Sequence, residues 1–340
     1  MKDTPSKITI VVPFRNIQCE GHSIDADFVA FLQSLKSVSD YVEEVILVND
    51  HSTDYSMEYT TSISQANWKL LTLKKNENGK KAALELGIQE AKTEYIWTLD
   101  SDVALLNFDS IRFQEFQNNL KGDLVILPVF MKTGKRLLEI TQSNEWRYMQ
   151  LLTFLSAQMK MPMMCNGANL IFKRSVFLQH IHAHCSVSSG DDLFLMSHVL
   201  KSKGQIGCCW KGFTDVEITP VKTIHEAINQ RLRWAGKTTK LPFTMSSILH
   251  FIFAFFSALH VMAVIGIFLA SIQKISIVFL VMKISLEVIG ILGVFPNRMK
   301  GKEIIILVPQ MLLYPFFSLF IFISSLFFVP KWKGRRVSLK

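Results

Sequence analysis

The sequence lacks several features that would place it in other classes of protein. No apolar signal segment opens the chain, because residues 1–7 are polar and lead directly into a β-rich run. We therefore expect about the first 245 residues to stay in the cytoplasm. Only five cysteines occur, at spacings that match no zinc-binding pattern, and reduced thiols fit that compartment. No Gly-rich, Arg/Lys-containing segment follows the first β-rich run, which argues against a nucleotidyltransferase.

Long apolar runs are absent up to about Met245 and then dominate the sequence. They account for the positive mean hydropathy of +0.26. The runs lie at about 247–271, 275–295 and 304–329. Each approaches or exceeds the ~20 residues that a helix needs to cross the hydrocarbon core. Buried core helices are the alternative, but cores rarely need such long runs without charge. We predict a membrane region at 246–330, followed by a basic tail at 331–340.

The charge balance is the next feature. The chain has 37 Lys and Arg against 28 Asp and Glu, a formal net charge of +9. Binding of nucleic acid is one interpretation of such an excess. However, Arg298, Lys300 and Lys302 lie between two apolar runs, and the basic tail follows the third. Attraction to an anionic membrane face explains these cations better, so no nucleic-acid partner is expected.

The apolar runs allow two membrane topologies. If the first run leaves the cytoplasm and the second returns, the basic loop 297–302 is cytoplasmic, as the positive-inside rule requires. A third crossing would then put the basic tail outside. Alternatively, Pro309 and Pro315 break the last run into a re-entrant or interfacial piece. Within the second run, Lys283 and Glu287 lie one helical turn apart, so they can neutralise each other or contact lipid.

The part of the chain before the apolar runs alternates between β-rich and helical patterns. Strands are predicted at 7–14, 44–49, 68–73 and 94–99, and helices at about 27–37, 55–66 and 80–91. Repeated strand–helix–strand units predict an α/β fold with a mostly parallel central sheet covered by helices. In such sheets, ligands bind beyond the carboxyl ends of the strands.

Polar clusters follow three of the predicted strands. They are Pro13-Phe14-Arg15-Asn16, Asn49-Asp50-His51-Ser52-Thr53-Asp54 and Asp100-Ser101-Asp102. Each alone fits an ordinary turn, but three at the ends of successive strands indicate a binding site. Asp100 and Asp102, two residues apart, are typical of a hard-cation site that keeps positions for substrate phosphates. A metal there would neutralise the charge on a departing diphosphate.

Seven segments, in chain order, resemble motifs of family-2 glycosyltransferases. They are ITIVVPFRN, VNDHSTD (against the family's Val-Asp-Asp-Gly-Ser-Thr-Asp), NGKKAALELGI, LDSDV, CNGAN, GDD and QRLRW. The resemblance implies that residues 1–245 form the family's single nucleotide-binding domain, called GT-A, followed by C-terminal transmembrane helices. Family-2 enzymes invert the anomeric centre, so an α-linked nucleotide-sugar donor would give a β-glycoside.

The resemblance also implies a set of donor-binding residues. They are Pro13, Arg15, Asp50, Lys80, Asp100, Gln230 and Arg233. Asp50 would read the base, which in this family is usually uracil. Gln230 and Arg233 would hold the diphosphate, and their spacing of three puts them on one face of a predicted helix. Asp102, with Asp100 beside it on the ribose, would bind the divalent metal, Mg²⁺ or Mn²⁺.

The catalytic and acceptor residues are implied in the same way. Asp192 would be the general base that takes the proton of the acceptor hydroxyl. Asp191, where many members have Glu, is the other candidate. Acceptor contacts would come from Asn166, Gly167 and Trp234. Asn49 stands where the family often has Asp, so base recognition would rest on Asp50.

The sequence specifies the acceptor least. The Gln-x-x-Arg-Trp motif occurs in processive polysaccharide synthases and in lipid glucosyltransferases, and three apolar runs are few for a polymer channel. We expect a multi-pass protein of the cell membrane with a cytoplasmic catalytic domain. It would transfer one sugar from a nucleotide sugar, usually a UDP-sugar, to a lipid or glycan acceptor. The alternatives are a processive synthase and an inactive, transferase-like membrane scaffold.

Overall fold

The computed structural model describes residues 5–17, 25–183, 191–238, 245–299, 301–327, 331–332 and 335–336. These residues form two compact units. The first comprises the described residues of Met1–Phe130 and Met164–Thr219, and the second those of Met131–Met163 and Pro220–Leu339. Gly190 of the GDD motif, Lys300 and most of the basic tail lie outside the described residues. The predicted boundaries at 245 and 330 stay predictions.

The strands support the α/β prediction. They are β1 (Ile8–Phe14), β2 (Glu44–Asn49), β3 (Trp68–Thr72), β4 (Tyr95–Leu99), β5 (Val103–Leu106), β6 (Leu124–Ile126), β7 (Val129–Met131), β8 (Asn169–Lys173), β9 (Ile206–Cys208), β10 (Asp215–Ile218), β11 (Lys331–Trp332) and β12 (Arg335–Arg336). Seven of them form one sheet in the order β3-β2-β1-β4-β8-β6-β9. Its first four strands are parallel, whereas β8 is antiparallel to β4 and β6. The sheet is therefore mixed and mostly parallel.

The four predicted strands match β1 to β4 to within one residue at each end. Their signal was strong because β1, β2 and β4 are buried over nearly their whole length, and strands buried on both faces read as continuous apolar runs. The short strands β5 and β10, which pair antiparallel with each other, were not predicted. Each has only four residues, too few for a clear period in the sequence.

The helices of the first unit cover this sheet. They are α1 (Ala26–Ser39), α2 (Ser56–Ile63), α3 (Lys80–Glu90), α4 (Ser110–Asn119), α6 (Arg174–Ala183) and α7 (Asp191–Lys201). Helix α3 lies so close to the sheet that a Cβ on Gly87 would be 2.6 Å from Cγ1 of Val11 and 3.1 Å from Cγ2 of Val48. This contact fixes the start of α3 relative to the carboxyl ends of β1 and β2, where the polar clusters begin.

The second unit is helical. It contains α5 (Leu137–Gln158), α8 (Ile224–Thr238), α9 (Met245–Gly266), α10 (Gln273–Val294) and α11 (Lys302–Phe327). Three segments of it are long and apolar enough to cross a membrane, namely Ile248–Gly266, Gln273–Val294 and Lys302–Phe327. They match the three predicted apolar runs.

Two predictions about these apolar helices have definite outcomes. Helix α11 continues through Pro309 and Pro315, so the alternative in which they break the third run is not observed. Helices in apolar surroundings tolerate proline when neighbouring groups satisfy the freed backbone atoms. The predicted pairing in α10 is confirmed: Nζ of Lys283 lies 2.6 Å from Oε1 of Glu287. Tyr148 of α5 donates a second hydrogen bond to that oxygen, at 2.7 Å.

Candidate active site

The end of β1 meets the end of β2 in the first unit, because Phe14 and Asn49 are partners in the parallel register. Arg15 and Asp50 follow these two residues, and Nη1 of Arg15 lies 3.3 Å from Oδ2 of Asp50. Asp50 is only 6% exposed, and its other oxygen, Oδ1, is buried without a hydrogen-bond partner. Such an acceptor is costly to leave unpaired. It is therefore suited to a ligand N–H group. Pro13 lies within β1, one residue before Phe14.

Asn16 and Asn49 hold the two loops beyond these strands in place. Oδ1 of Asn16 accepts from the backbone N–H of Thr53 at 2.9 Å, and its own N–H donates to Oγ of Ser52 at 3.1 Å. Oδ1 of Asn49 accepts from the N–H of Ser52 at 2.9 Å. Asn49 therefore forms the turn with a side-chain oxygen that aspartate would also provide. This explains how Asn fits at the position where the family often has Asp.

His51 belongs to one of the predicted polar clusters, but the sequence analysis assigned it no role of its own. Its backbone φ is 53°, in the left-handed region that favours glycine, and the family motif has Gly at this position. Its Nε2 lies 3.1 Å from the carbonyl oxygen of Lys74 and 2.9 Å from that of Glu77. The ring thus fastens the turn after β2 to the loop that precedes α3. The departure of VNDHSTD from the motif's glycine was the signal in the sequence.

Lys80 connects the predicted nucleotide-binding motifs with the two acidic motifs. It opens α3 directly after Gly79, whose φ is 95°, and Nζ of Lys80 lies 2.5 Å from Oδ1 of Asp100. Burial alone would lower the pKa of Lys80, but the charges of Asp100, Asp192 and Asp191 outweigh it and raise the pKa above its usual value. Lys80 is therefore a fixed cation, and three predicted site carboxylates lie within electrostatic range of it.

The predicted general base and the predicted acceptor loop are in contact. Asp192 is the second residue of α7, and its Oδ2 accepts from the backbone N–H of Gly167 at 3.0 Å. Oδ1 of Asp192 accepts from the N–H of Leu193 at 2.9 Å. Asn166 shapes the same loop, because its Oδ1 accepts from the N–H of Ala168 at 3.0 Å. Both oxygens of Asp192 are thus oriented by backbone groups.

The predicted metal residues follow β4. Asp102 is exposed and Asp100 is half-buried. Among the residues that the structure describes, no group of three or more His, Cys, Asp or Glu side chains could hold a metal ion. Mg²⁺, however, is usually held by one or two carboxylates together with substrate phosphates and water. Two aspartates at this sheet edge therefore fit a cation that arrives with a diphosphate, and a complete protein cage is not required.

The remaining predicted residues belong to the second unit. Gln230, Arg233 and Trp234 lie on α8, and the Trp234 ring packs 5.6 Å from that of Trp146 on α5, measured between ring centroids. Arg231, which follows Gln230 directly in the Gln-x-x-Arg-Trp motif, is 5% exposed. The sequence analysis assigned it no role.

Comparison with known proteins gives one match to a family. The model described as "Glycosyl transferase family 2" matches residues 9–178, half of the 340-residue chain. No curated protein matches the chain.

Several solved structures are similar at a low level. TarS 1-349 of S. aureus has 15% identity and a TM-score of 0.45, with coverage of 94% of this chain and 88% of that one. Its complex with UDP-GlcNAc gives 15% identity, a TM-score of 0.44 and coverages of 94% and 89%. Glucosyl-3-phosphoglycerate synthase of Mycobacterium tuberculosis, in complex with Mn²⁺, UDP and glucosyl-3-phosphoglycerate, gives 15% identity, a TM-score of 0.44 and coverages of 70% and 82%. Similarity this weak assigns no substrate to the present chain.

Proposed function

The chain belongs to glycosyl transferase family 2, and we propose that it is a membrane-anchored, metal-dependent hexosyltransferase. It moves one sugar, with inversion, from a nucleotide-diphosphate donor to a lipid or lipid-linked acceptor. The observation that carries this proposal is the grouping around Lys80. Asp100 pairs with it directly, and the charges of Asp191 and Asp192 also act on it. The family's metal motif and its acidic catalytic pair thus lie within electrostatic range of one cation.

Recognition of a UDP-sugar is supported by Asp50. Its buried Oδ1 lacks a partner and accepts the imide N–H of uracil, while Arg15 holds the other oxygen. Asp100 would contact the ribose, and Asp102, with Asp100, would hold Mg²⁺ or Mn²⁺. When bound, this metal neutralises the charge of the diphosphate. On the resemblance to the family, Gln230 and Arg233 contact the diphosphate.

The proposed reaction is a direct displacement. Asp192 takes the proton of the acceptor hydroxyl, whose oxygen forms a bond to the anomeric carbon of the sugar. The bond between that carbon and the diphosphate oxygen breaks, and the nucleoside diphosphate leaves with the electron pair. Arg233 holds the leaving group, since a guanidinium matches the geometry of phosphate oxygens. Asn166, Gly167 and Trp234 position the acceptor. The hydrogen bond from Gly167 orients the base for this step.

A membrane-bound acceptor is supported by the three apolar helices that follow α8. We place the catalytic domain on the cytoplasmic side of the membrane. The basic residues Arg298 and Lys302 flank α10 and α11, and an anionic cytoplasmic leaflet would attract them. A product with one added sugar that partitions with membranes is expected.

The test is a release assay on the full-length protein purified in detergent. UDP- and GDP-sugars are supplied one at a time with Mg²⁺ or Mn²⁺, with and without membrane lipid extract, beside the Asp192→Asn variant. Release of nucleoside diphosphate only with lipid, metal and one donor is the expected result. A ladder of long polymer would replace single transfer by processive synthesis. If the protein binds none of the nucleotides tested, with or without metal, the inactive scaffold is favoured and the proposal is overturned.

A further inference from the structure

We infer that Arg231 is a positioning residue that sets the orientation of the Gln230 side-chain amide, so that its NH₂ group faces away from Arg231 and serves a phosphate oxygen. The inference rests on the proposed role of Gln230 in diphosphate binding. It adds a residue that the resemblance to the family did not single out.

The guanidinium of Arg231 is held from several sides within the second unit. Its Nη2 donates to Oε2 of Glu145 at 2.6 Å and its Nε donates to the same oxygen at 3.1 Å. Its Nη1 donates to Oε1 of Gln230 at 2.7 Å. Longer contacts, at 3.5 Å, reach Oε1 of Gln142 and the carbonyl oxygen of Ala227. Every one of these partners accepts, as a guanidinium requires.

The contact between Arg231 and Gln230 determines the polarity of the amide. Arginine has only donors, so the atom of Gln230 that meets Nη1 is the carbonyl oxygen. The NH₂ group is then the other branch of the amide. Phosphate oxygens are acceptors, and the NH₂ is the branch that a diphosphate requires. In the reverse orientation, a carbonyl oxygen would face the phosphate and repel it.

Glu145 and Trp234 keep the guanidinium from following Gln230 if the amide rotates. Arg231 and Glu145 are 5% and 11% exposed at their side chains, and a buried charge that loses its partner is strongly destabilising. The Trp234 ring lies against the guanidinium, with its centroid 5.2 Å from Cζ of Arg231, a favourable cation–π distance.

Gln142 fixes the segment that leads into α8, because its side chain accepts from the backbone N–H of Val221 at 3.2 Å and donates to the carbonyl oxygen of Val221 at 2.9 Å.

The first test is the Gln230→Glu variant, which leaves Arg231 and Glu145 in place. One carboxylate oxygen of the new side chain keeps the contact with Nη1, and the other replaces the NH₂ donor with an acceptor. We expect Gln230→Glu to bind UDP more weakly than Gln230→Ala does, by about tenfold, because repulsion is added to the lost hydrogen bond. Both affinities are measured by calorimetric titration of full-length protein with UDP and Mg²⁺. Equal affinities of the two variants would overturn the inference.

The second test is Arg231→Lys. An ammonium retains the charge beside Glu145 but lacks the planar fork that reaches Glu145 and Gln230 together. We expect UDP binding to weaken about tenfold and uridine binding to stay within twofold, since uridine has no diphosphate. In protein that already carries Gln230→Ala, Arg231→Lys should cause no further loss of UDP affinity, because Arg231 acts through Gln230.

The outcomes separate the inference from the proposed function. If Arg231→Lys weakens the binding of uridine and of UDP equally, Arg231 has a structural role alone and the inference is wrong. The same conclusion follows if the losses of UDP affinity from Arg231→Lys and Gln230→Ala are additive. If wild-type protein binds UDP and Arg231→Lys binds it equally well, the positioning role is overturned while the proposed function stands. Wild-type protein that binds no nucleoside diphosphate would overturn both.

Discussion

The backbone N–H of Gly167 donates a hydrogen bond to Oδ2 of Asp192 at 3.0 Å. The two residues are 25 positions apart in the chain and belong to two segments that the sequence resemblance singled out separately. One is the CNGAN loop and the other is the acidic pair at the start of α7. The bond joins the predicted acceptor loop to the predicted general base, so the carboxylate is oriented before an acceptor arrives.

Asp192→Asn should abolish transfer and retain donor binding. An amide cannot take the proton, and general-base catalysis contributes about 10²–10⁴-fold to the rate. The rate of nucleoside diphosphate release should therefore fall by at least about 10²-fold. Both oxygens of Asp192 accept backbone N–H groups, and asparagine has one acceptor branch. The variant should therefore also lose about 1 kcal/mol of stability. Release kinetics, UDP titration and thermal unfolding measure the three effects.

The matched control for this variant is Asp191→Asn at the preceding position. It should keep most of the transfer activity if Asp192 is the base. The opposite order of the two activities would assign the base to Asp191. If Asp192→Asn also loses UDP binding, Asp192 contributes to donor binding as well.

Removal of metal should stop the reaction. EDTA should abolish release, and Mn²⁺ or Mg²⁺ should restore it, because the diphosphate needs its charge neutralised. Asp102→Asn should raise the metal concentration needed for half-maximal UDP binding by about tenfold, since one of two proposed carboxylate ligands is lost. UDP binding in EDTA should be unchanged by this substitution. Full activity in EDTA would remove the metal from the proposed mechanism.

His51→Gly should weaken donor binding without loss of the fold. Glycine adopts the φ of 53° without strain, but the contacts to the carbonyls of Lys74 and Glu77 are lost. Because the loop that precedes Lys80 is then less restrained, we expect the KM for the donor to rise about three- to tenfold. His51→Ala should show the same change in KM plus a lower melting temperature, since alanine is strained at positive φ. An unchanged KM in both variants would show that the tether is dispensable.

The pair of Lys80 and Asp100 should give no pH dependence near neutrality. Burial opposes the charge of Lys80, but Asp100 and the other carboxylates raise its pKa. A lysine with a raised folded-state pKa contributes its full stability below the unfolded value of about 10.4, and this is lost only as the pH rises through the folded value. The difference in melting temperature between wild-type protein and the Lys80→Arg variant should therefore stay constant from pH 6 to 9. A difference that grows with pH in this window would contradict the assignment.

The ion pair within α10 should be dispensable only as a pair. Glu287→Gln leaves the charge of Lys283 among apolar helices, and breaking a buried pair costs about 3–5 kcal/mol. Lys283→Met combined with Glu287→Gln should recover most of the loss. Tyr148→Phe removes only one hydrogen bond to Glu287 and should cost about 1 kcal/mol. The melting temperatures of the wild-type protein and these variants, measured by thermal unfolding in detergent, give the comparison. A double variant less stable than both single ones would point to a further role for these charges.

The sequence predicted the central sheet and the positions of the motifs well for a physical reason. Strands β1, β2 and β4 are nearly continuous apolar runs, and parallel order brings the polar ends of neighbouring strands to one edge. From this order alone, Asp50 after β2 and Asp100 after β4 were expected at the same edge of the sheet. The resemblance to the family implied Lys80 as a donor-binding residue and Asp191 and Asp192 as catalytic candidates, and the structure brings the three charges within electrostatic range. Residue periodicity gave no sign of it.

The contacts that the sequence did not predict are tertiary. Arg231 and Glu145 are 86 residues apart and lie on separate helices, and no local pattern pairs an arginine with one glutamate among many. His51 looked like an ordinary turn residue because its partners are backbone carbonyls, which every residue has. Helix α5, 22 residues long, has no wide apolar stripe that would have marked its buried polar residues as internal.

If the buried Oδ1 of Asp50 accepts an N–H of the nucleotide, as proposed, the stability of this protein depends on its supply of nucleotide. A buried acceptor that lacks a donor costs about 1–3 kcal/mol. A ligand that supplies the donor removes that cost and adds its own binding free energy to the folded state. In a starved cell, therefore, more copies of the chain would be unfolded at any moment and open to proteolysis. The abundance of the protein would then follow the metabolic state of the cell without any regulator.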